Sequence, residues 1–550
     1  MITGSIFRDA LISGANNITA QKQQIDELNV FPVPDGDTGT NMSMTINAAA
    51  RELSRLGDNC TVAEAASCAA SALLRGARGN SGVILSLIFR GISKGLANCE
   101  TATAEDLARG LALGTESAYK AVMKPTEGTI LTVIRLTAKK ANAFLETNND
   151  LVAFWEAVCK ASKDALAKTP EILPVLKKAG VVDAGGKGLT VIFDGMMSVF
   201  RDGVIIAAES NESAAPAAKK ESSIADFEEE INFTYCTEFI VQREKGNERD
   251  PLALRAYLES IGDCVVVVDD ESIIKFHVHT DNPGKALQQG LKYGMLTNMK
   301  IENMREQFEN RVSAEAESEN NAPEYVKVDP EIPYGFVSVC AGEGVAQLFT
   351  DLGVDKIVSG GQTMNPSTDD ILAAVQSVPA KTVFMLPNNK NIIMAAEQAV
   401  PLADREIRVL HTKTIPQGIS AMLCFDCDAD ADNNQKEMMK AVERVGSGQI
   451  TFAARDSDYE GHKIKEGELL ALENGKLSFV EKDLQRAVVR LTRSLIKKDS
   501  SFITILYGEG VSKEDAEAAV AALREKISED IDVSLVKGDQ PVYYYIISVE

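Results

Sequence analysis

The stretch NVFPVPDGDTGTN, residues 29–41, interrupts a run of helical patterns near the start of the chain. Its two prolines and two glycines exclude a helix, so these residues must form a shaped loop. On both sides apolar residues recur at helical spacing, as in residues 6–18, and capping-box patterns open further helices at 61–64 and 103–106. Alternating β-type patterns are nearly absent here. The sequence therefore predicts an all-α first domain, 1–208.

Two stretches without apolar bulk follow this domain, at residues 209–224 and 313–327. Neither can bury enough surface to offset its ordering entropy, so both are predicted to be linkers. They separate the first domain from a middle domain, 225–312, and a C-terminal domain, 328–550. A multidomain chain also agrees with the length of 550 residues, which is too long for one hydrophobic core.

The hydrophobic period changes in the middle domain, where residues 264–268 and 273–279 read as adjacent strands and Pro283 can open a helix. In the C-terminal domain short apolar strands alternate with helices such as 512–527, which predicts α/β layers. The strands are predicted at 335–340, 356–358, 382–386, 407–411, 450–454, 502–507 and 542–549. The expected fold is an all-α domain followed by a small α/β domain and an α/β C-terminal domain.

Composition restricts the functions that the chain can have. The chain has 57 Lys and Arg residues and 80 Asp and Glu residues, which gives a net charge of −23. This charge argues against binding of nucleic acid. It does not argue against binding of ATP, because a metal ion and local N–H groups can hold the phosphates. The sequence contains no run of about 18 apolar residues, so no transmembrane segment is predicted. The first residues do not have the pattern of a secretory signal, and a cytoplasmic protein is therefore expected. Nine irregularly spaced cysteines do not suggest a disulfide framework.

The loop at 29–41 carries two carboxylates, Asp35 and Asp37, with a glycine between them. Carboxylates at this spacing can converge on one hard cation, and Mg²⁺ takes one or two protein carboxylates with water and phosphate oxygens. Thr38, Thr40 and Asn41 add short polar groups able to meet phosphate. The alternative is an ordinary Asx turn, which Asp-Gly pairs form readily.

Three further glycine-rich junctions precede helices, at residues 75–82 (RGARGNSG), 124–131 (KPTEGTIL) and 180–188 (GVVDAGGKG). Glycines allow the backbone to approach a ligand closely, and a following helix N-terminus favours anions. Any one of them could be only a helix cap, but four such loops in one helical domain are hard to explain as turns. The chain has neither a P-loop nor the protein-kinase motifs.

With these loops the chain resembles the bacterial fatty acid kinase catalytic subunit, whose N-terminal domain is related to the nucleotide-binding L domain of dihydroxyacetone kinases. The resemblance covers essentially the whole chain, and the segments that carry it are 29–41, 76–86, 124–131, 179–189, 235–239, 277–284 and 540–550.

The resemblance implies a helical-barrel domain that holds Mg-ATP in its loops at one end. It also implies transfer of phosphate to a fatty acid carboxylate presented by a separate DegV-type fatty-acid-binding protein, giving acyl phosphate for phospholipid synthesis, and it suggests a homodimer. The implied roles are Mg²⁺ binding by Asp35 and Asp37 and phosphate or nucleotide contacts by Gly79, Asn80, Ser81, Gly82, Thr129 and Asp183. Phosphoryl transfer to a carboxylate also needs positive groups, for which the candidates are Arg75, Arg78 and Lys124.

One position departs from the related kinases. Dihydroxyacetone kinases use a third aspartate five residues before the first of the pair, where this chain has Val30 with Asn29 beside it, so the third metal ligand stays open. No segment matches the histidine that tethers dihydroxyacetone. Two alternatives remain: a dihydroxyacetone-type sugar kinase, and a non-catalytic scaffold that senses nucleotide.

A Cys/His group in the middle domain suggests a second metal. His277 and His279 alternate along a predicted strand and therefore share one face, and Cys236 is the obvious third ligand for Zn²⁺. The alternative is a pair of strand histidines that face water. The sequence does not separate a structural zinc from a chemical role, and the Cys-x-x-Cys of Cys424 and Cys427 reads as incidental.

Three polar loops in the C-terminal domain link strands to helices, at 359–368, 386–391 and 412–418. In α/β sheets the loops at the carboxyl ends of strands bind ligands and partners. We therefore predict that these loops dock the lipid-carrying partner rather than ATP. The alternative is ordinary helix capping.

Overall fold

The computed structural model describes residues 1–29, 36–122, 124–207, 233–243, 249–269, 273–303, 325–361, 364–454, 457–459 and 462–550. These residues form two compact units, one made of Met1–Glu212 with Tyr325–Glu550 and the other of Ser213–Glu324. Apart from residues 325–327, both predicted linkers lie outside the described residues. No described helix has the length and apolar character needed to cross a membrane.

The regular elements described in the N-terminal part are all helices, as predicted. Its helices are α1 (Gly4–Asp26), α2 (Thr38–Leu53), α3 (Val62–Arg75), α4 (Gly79–Gly95), α5 (Ala104–Ala121), α6 (Ile130–Leu145), α7 (Leu151–Ala167), α8 (Thr169–Ile172), α9 (Pro174–Ala179) and α10 (Ala184–Asp202). The predicted capping boxes are present: Thr61 opens α3 in reciprocal hydrogen bonds with Glu64, and Thr103 opens α5 in the same way with Asp106.

The core of the helical part is continuous from α1 to α10. Trp155, the single tryptophan of the chain, is buried in it. Its indole N–H donates to the carbonyl oxygen of Phe193 at 3.1 Å, and its ring stands edge-on to the rings of Phe193 and Phe200. Helix α10 is thereby fixed against α7, and its first turn faces the loops described below.

The middle unit is a four-stranded antiparallel sheet with two helices, and the two strands and the helix at Pro283 that the sequence predicted are among them. Its elements are β1 (Tyr235–Arg243), α11 (Pro251–Glu259), β2 (Gly262–Asp269), β3 (Ile273–Thr280), α12 (Pro283–Gly290) and β4 (Gly294–Asn303). The strand order is β2-β3-β1-β4. Apolar residues of the inner strands, among them Phe239, Ile274 and Val278, form its core with α11 and α12.

The C-terminal part begins with a four-stranded parallel sheet in the order β6-β5-β7-β8. Its elements are β5 (Ile332–Cys340), α13 (Glu343–Asp351), β6 (Lys356–Ser359), α14 (Thr368–Gln376), β7 (Ala380–Leu386), α15 (Ile393–Ala399), β8 (Glu406–Val409), α16 (Ile415–Leu423) and α17 (Ala431–Arg444). The alternation of strands with helices produces the parallel pairing, because a parallel connection needs a crossover.

A mixed sheet follows, in the order β13-β12-β9-β16-β14-β15. The remaining elements are β9 (Gly446–Phe452), β10 (Ser457–Tyr459), β11 (His462–Ile464), β12 (Leu469–Glu473), β13 (Lys476–Glu481), α18 (Leu484–Leu495), β14 (Phe502–Tyr507), α19 (Lys513–Arg524), β15 (Asp532–Lys537) and β16 (Tyr545–Val549). The predicted strand 542–549 begins only at Tyr545, since Val542 has φ of +69°. The predicted fold class, one helical and two α/β parts, is confirmed.

The C-terminal part packs directly on the helical part within their common unit. One buried cluster joins residues of β5, β7, α14 and α15 to three apolar residues of the helical part: Ala77, just before α4, and Val83 and Leu87 of α4. The backbone of Arg78 forms an antiparallel bridge with Ser367, and the Thr368 N–H donates to the Ala77 carbonyl oxygen at 3.1 Å. The loops that follow β6 and β7 therefore face the glycine-rich loops of the helical part.

Candidate functional site

A cavity of about 420 Å³ lies where the glycine-rich loops of the helical part meet the loop after β7. Its described lining comes from all four predicted loops, from α4 and from the C-terminal part. The lining residues are Asn29, Asp37, Thr38, Asn41, Asn80, Ser81, Ile84, Val122, Lys124, Thr126, Thr129, Ile130, Leu131, Asp183, Gly185, Lys390 and Asn391.

The first loop contributes Asp37, which directly precedes α2. Its carboxylate accepts a hydrogen bond of 2.5 Å from the side-chain amide of Asn365, a residue of the C-terminal part. The Thr38 hydroxyl donates to the Asn29 side-chain oxygen at 3.1 Å, and both residues line the cavity. Asp35, the other predicted metal ligand, lies outside the described residues.

The N-terminus of α2 is capped by Asp26, which the sequence analysis did not single out. One carboxylate oxygen of Asp26 accepts from the Gly39 N–H at 2.6 Å, and the other accepts from the Thr40 hydroxyl at 2.8 Å. Asp37 makes no capping hydrogen bond of its own. Thr40 is thus engaged with Asp26 and is not part of the cavity lining, whereas the Asp37 carboxylate lines the cavity.

Two glycines of the second loop bring α4 close to α2. Gly79 has φ of +57°, and a Cβ there would lie 2.6 Å from the Asn41 side-chain nitrogen. A Cβ on Gly82 would lie 2.3 Å from the Thr45 hydroxyl, which itself donates to the Asn41 carbonyl oxygen. Neither glycine lines the cavity; instead they allow the close packing that brings Asn41 beside Asn80 and Ser81 of the same loop.

The third and fourth loops end at helix N-termini. The Thr129 hydroxyl caps α6 and donates to the Thr126 carbonyl oxygen at 2.7 Å. Asp183 caps α10, and its carboxylate accepts from the Gly186 N–H at 2.7 Å. Burial raises the pKa of Asp183 to about 6, although hydrogen bonds from the backbone of Gly186 and Ile130 act in the opposite direction.

The predicted cations separate into two groups. Arg78 points to the C-terminal part: one guanidinium nitrogen donates to the Asn365 carbonyl oxygen at 2.8 Å, and another lies 3.3 Å from the Asp370 carboxylate. Arg75 pairs more loosely with the neighbouring Asp369, and neither arginine lines the cavity. Lys124 does line it. Among the described lining residues the cations are Lys124 and Lys390.

Lys390 and Asn391 are site residues that the sequence analysis assigned to a partner-docking loop. The Asn80 side-chain amide donates to the Asn391 side-chain oxygen at 3.3 Å, which joins the second loop to the loop after β7. The Asn80 side-chain oxygen is buried and has no hydrogen-bond partner in the described part of the chain. No local signal in residues 386–391 indicates that they lie beside a loop some 300 residues earlier.

The chemistry of the lining suits a hard cation and phosphate. Asp37, Asn29 and Thr38 place carboxylate, amide and hydroxyl oxygens together, which are the donors that Mg²⁺ prefers. The N-termini of α4, α6 and α10 open at the same cavity and supply backbone N–H groups for anions. Apolar side chains such as Ile84 and Leu131 provide a surface for a flat, uncharged group.

In the middle unit the strand register brings the predicted zinc ligands near one another along the backbone. Cys236 of β1 is directly opposite His279 of β3, and His277 lies two residues before His279. The side chains of these three residues lie outside the described part. Cys424 and Cys427, in the C-terminal part, are exposed free cysteines.

Family profiles match three consecutive regions of the chain. The DAK2 domain matches residues 32–198, the middle domain of the FakA-like fatty acid kinase family matches 232–311, and the C-terminal domain of the same family matches 335–550. Together they agree with the helical part, the middle unit and the C-terminal part as the structure has them.

Two solved structures show only weak likeness. A DegV family protein from Ruminococcus gnavus, solved with vaccenic acid, is 11% identical and covers 40% of this chain and 100% of its own, with a TM-score of 0.31. Dihydroxyacetone kinase from C. freundii, in complex with AMP-PNP and Mg²⁺, is 20% identical and covers 35% of this chain and 33% of its own, with a TM-score of 0.27. Scores this low establish no common fold.

Relatives in sequence match from end to end. Protein YloV of Bacillus subtilis is 42% identical over 554 residues, which cover 100% of this chain and 99% of YloV. An uncharacterized protein of Staphylococcus epidermidis is 38% identical over 560 residues, with the same coverage. Since two of the three profiles carry its name and the full-length identity is this high, the chain belongs to the FakA-like fatty acid kinase family.

Proposed function

We propose that the chain is the ATP-dependent subunit of a fatty acid kinase. It binds Mg-ATP in the cavity between the glycine-rich loops and the loop after β7. It transfers the terminal phosphoryl group to the carboxylate of a fatty acid presented by a separate DegV-type fatty-acid-binding protein, and the product is an acyl phosphate for phospholipid synthesis. The observation that carries the proposal is the convergence of all four predicted loops on one cavity.

Each wall of the cavity has a role in this proposal. Asp37, with Asp35, Asn29 and water as further candidates, holds Mg²⁺, and the metal supplies charge neutralisation to the phosphates when it is bound. Asn80 and Ser81 bind phosphate oxygens at the N-terminus of α4, where the helix dipole favours anions. Thr129 contributes from the N-terminus of α6.

The proposed acceptor, a fatty acid carboxylate, determines which catalytic groups the site needs. A fatty acid carboxylate is ionised at neutral pH, so the site needs no general base to generate the nucleophile. Phosphoryl transfer then depends on positioning and on positive charge around the transferring group. Lys124 supplies such charge from the third loop, and Asp183 contacts the nucleotide from the fourth.

Two further features belong to the proposal. The chain acts as a homodimer, as the family resemblance suggests, and a Zn²⁺ ion is held by Cys236, His277 and His279. The register of β1 and β3 supports the zinc site, because it sets Cys236 opposite His279. Cys and His are ligands that zinc prefers, and three protein ligands leave an open fourth position.

The test is ATP consumption by the purified chain with Mg²⁺ and oleate, with and without a DegV-type lipid-binding protein. We expect turnover only when the lipid carrier is present, and we expect Asp37→Ala to abolish it. Asp164→Ala is the matched control, since Asp164 is an exposed aspartate of α7 that does not line the cavity. Turnover with dihydroxyacetone but not with oleate would identify a sugar kinase instead, and nucleotide binding without turnover would leave a sensing scaffold.

A further inference from the structure

We infer that the C-terminal part is a wall of the nucleotide site itself, with Lys390 as a phosphate-binding residue and Asn365 as the residue that positions the metal-binding Asp37. The inference rests on the proposed function, because it takes the cavity to be the Mg-nucleotide site. It assigns the loops after β6 and β7 to the kinase reaction, whereas their sequence suggested only partner docking.

Asn365 is buried beside Asp37, where a side chain without an amide donor would no longer orient the Asp37 carboxylate. It is 2% exposed, and its amide donates to the Asp37 carboxylate. The Asn365 amide nitrogen also lies against Gly79, where an added Cβ would approach it to 3.3 Å. A buried neutral donor orients the carboxylate for a cation, and such supporting contacts control metal affinity.

The backbone around Asn365 is fixed to the helical part at several points. Arg78 bonds to the Asn365 carbonyl oxygen and pairs with Asp370, and the bridge between Arg78 and Ser367 aligns the two loops. The buried apolar cluster shared by α4, α14 and α15 lies behind these polar contacts. Residues 364–368, at the end of the loop after β6, are therefore held in one register against the loop that carries Asn80 and Ser81.

The loop that carries Lys390 is also held firmly at its base. Asn388 is buried with φ of +53°, and its amide donates to the Ser338 hydroxyl at 2.9 Å and to the Val339 carbonyl oxygen at 3.0 Å. Two residues later Lys390 lines the cavity, and Asn391 bonds to Asn80. These hydrogen bonds fix the base of the loop, and a fixed base holds Lys390 in position at the cavity.

The role of Lys390 follows from the negative charge around the cavity. The described lining holds the carboxylates of Asp37 and Asp183, and the whole chain carries −23, so a polyphosphate requires local cations. Lys124 and Lys390 come from opposite parts of the chain and line the same cavity. Since a hydrogen bond to a charged group contributes about 1.5–3 kcal/mol, losing Lys390 should weaken nucleotide binding about 10- to 100-fold.

The experiment measures the dissociation constant of the full chain for Mg-AMP-PNP, a nucleotide that is not hydrolysed. We expect Lys390→Met to raise it about 10- to 100-fold, comparably to Lys124→Met. Lys413→Met is the matched control, because Lys413 is an exposed lysine in the loop after the neighbouring strand β8 and does not line the cavity. Unchanged binding by Lys390→Met, in a chain that binds the nucleotide normally, would overturn the inference while leaving the proposed function intact.

Asn365 is tested by the Mg²⁺ dependence of nucleotide binding, which a merely structural residue would not shift. We expect Asn365→Ala to need about tenfold more Mg²⁺ for half-maximal binding at an unchanged melting temperature. If Asn365→Ala does not fold, Asn365→Ser retains a small polar group and serves instead. An unchanged Mg²⁺ midpoint in a folded variant would refute the positioning role. If the variants show these changes in nucleotide and Mg²⁺ binding but the chain does not turn over oleate, the proposed fatty acid acceptor is refuted. The nucleotide site shared by the helical part and the C-terminal part would still stand.

Discussion

Asn in place of Asp183 should stabilise the helical part at neutral pH. Asp183 caps α10 with a 2.7 Å hydrogen bond from the Gly186 N–H, and burial raises its pKa from 3.8 to about 6. Asn can accept the same hydrogen bond and is as good an N-cap as Asp. Asp183→Asn therefore keeps the cap and removes a charge whose desolvation is unfavourable in the folded state.

The size of the effect follows from the pKa. A rise from 3.8 to about 6 is roughly two units, and each unit corresponds to about 1.4 kcal/mol. Below pH 3.8 the carboxyl is neutral in both states and contributes no penalty. As the pH rises, the unfolded chain ionises first, so the penalty grows and is complete above pH 6. We expect Asp183→Asn to gain about 1.5 kcal/mol at pH 5 and about 3 kcal/mol at pH 8.

The assay uses the single tryptophan of the chain. Trp155 is buried against α10 and bonded to Phe193, so its fluorescence reports unfolding of the helix that Asp183 caps. Urea unfolding of the wild type and of Asp183→Asn is compared at pH 5 and pH 8. Asp150→Asn is the control, since Asp150 caps α7 through a 2.8 Å bond from the Ala153 N–H but is exposed. It should change stability by less than about 0.5 kcal/mol.

Two results would refute this reasoning. A gain of the same size at pH 5 and pH 8 would mean that the substitution acts through packing or the hydrogen bond rather than through ionisation. No gain at pH 8 would mean that the Asp183 carboxylate is well solvated in the folded chain, contrary to the desolvation that raises its pKa.

Three further outcomes are expected. Gly82→Ala should destabilise the chain by about 1–3 kcal/mol in urea unfolding and weaken nucleotide binding, because the added Cβ would lie 2.3 Å from the Thr45 hydroxyl. Gly57→Ala is the control and should change neither, because the space around Gly57 is open. Arg405→Met should cost about 1–3 kcal/mol, since the buried guanidinium donates to two main-chain carbonyls; an unfolding midpoint equal to the wild type would contradict this. Cys340, whose pKa burial raises to about 12, should resist alkylation in the native chain and react in urea, as mass spectrometry of labelled peptides would show.

Local signals in the sequence predicted much of the fold. Capping boxes at 61–64 and 103–106, apolar periodicity and the strand 502–507 depend on residues close in the chain, and the structure has each of them. The hairpin of β12 and β13 went unpredicted even though Asn474 and Gly475 form a two-residue turn with positive φ at both positions. Asn-Gly between strands is a strong hairpin signal, so this turn is encoded locally in the sequence.

The composition of the site was less accessible. Four loops share glycines and short polar residues, and this pattern marked most of the cavity lining from the helical part. Asp26 caps α2 from 13 residues away, outside any capping-box spacing, so no motif identified it. The contacts of Arg78 and Lys390 depend on the packing between α4 and the C-terminal part. This packing joins residues some 290 positions apart in the sequence, so no local pattern predicts it.

The pairing of Asp37 with Asn365 and of Asn80 with Asn391 has a consequence for biosynthesis. The ribosome must add 354 residues after Asp37 before Asn391 exists, which takes roughly 20–70 s at bacterial elongation rates. During that interval the helical part can fold around its own core, but one wall of its cavity has not yet been made. A nascent chain should therefore acquire tight nucleotide binding late, and a truncated product of stalled translation would not sequester ATP.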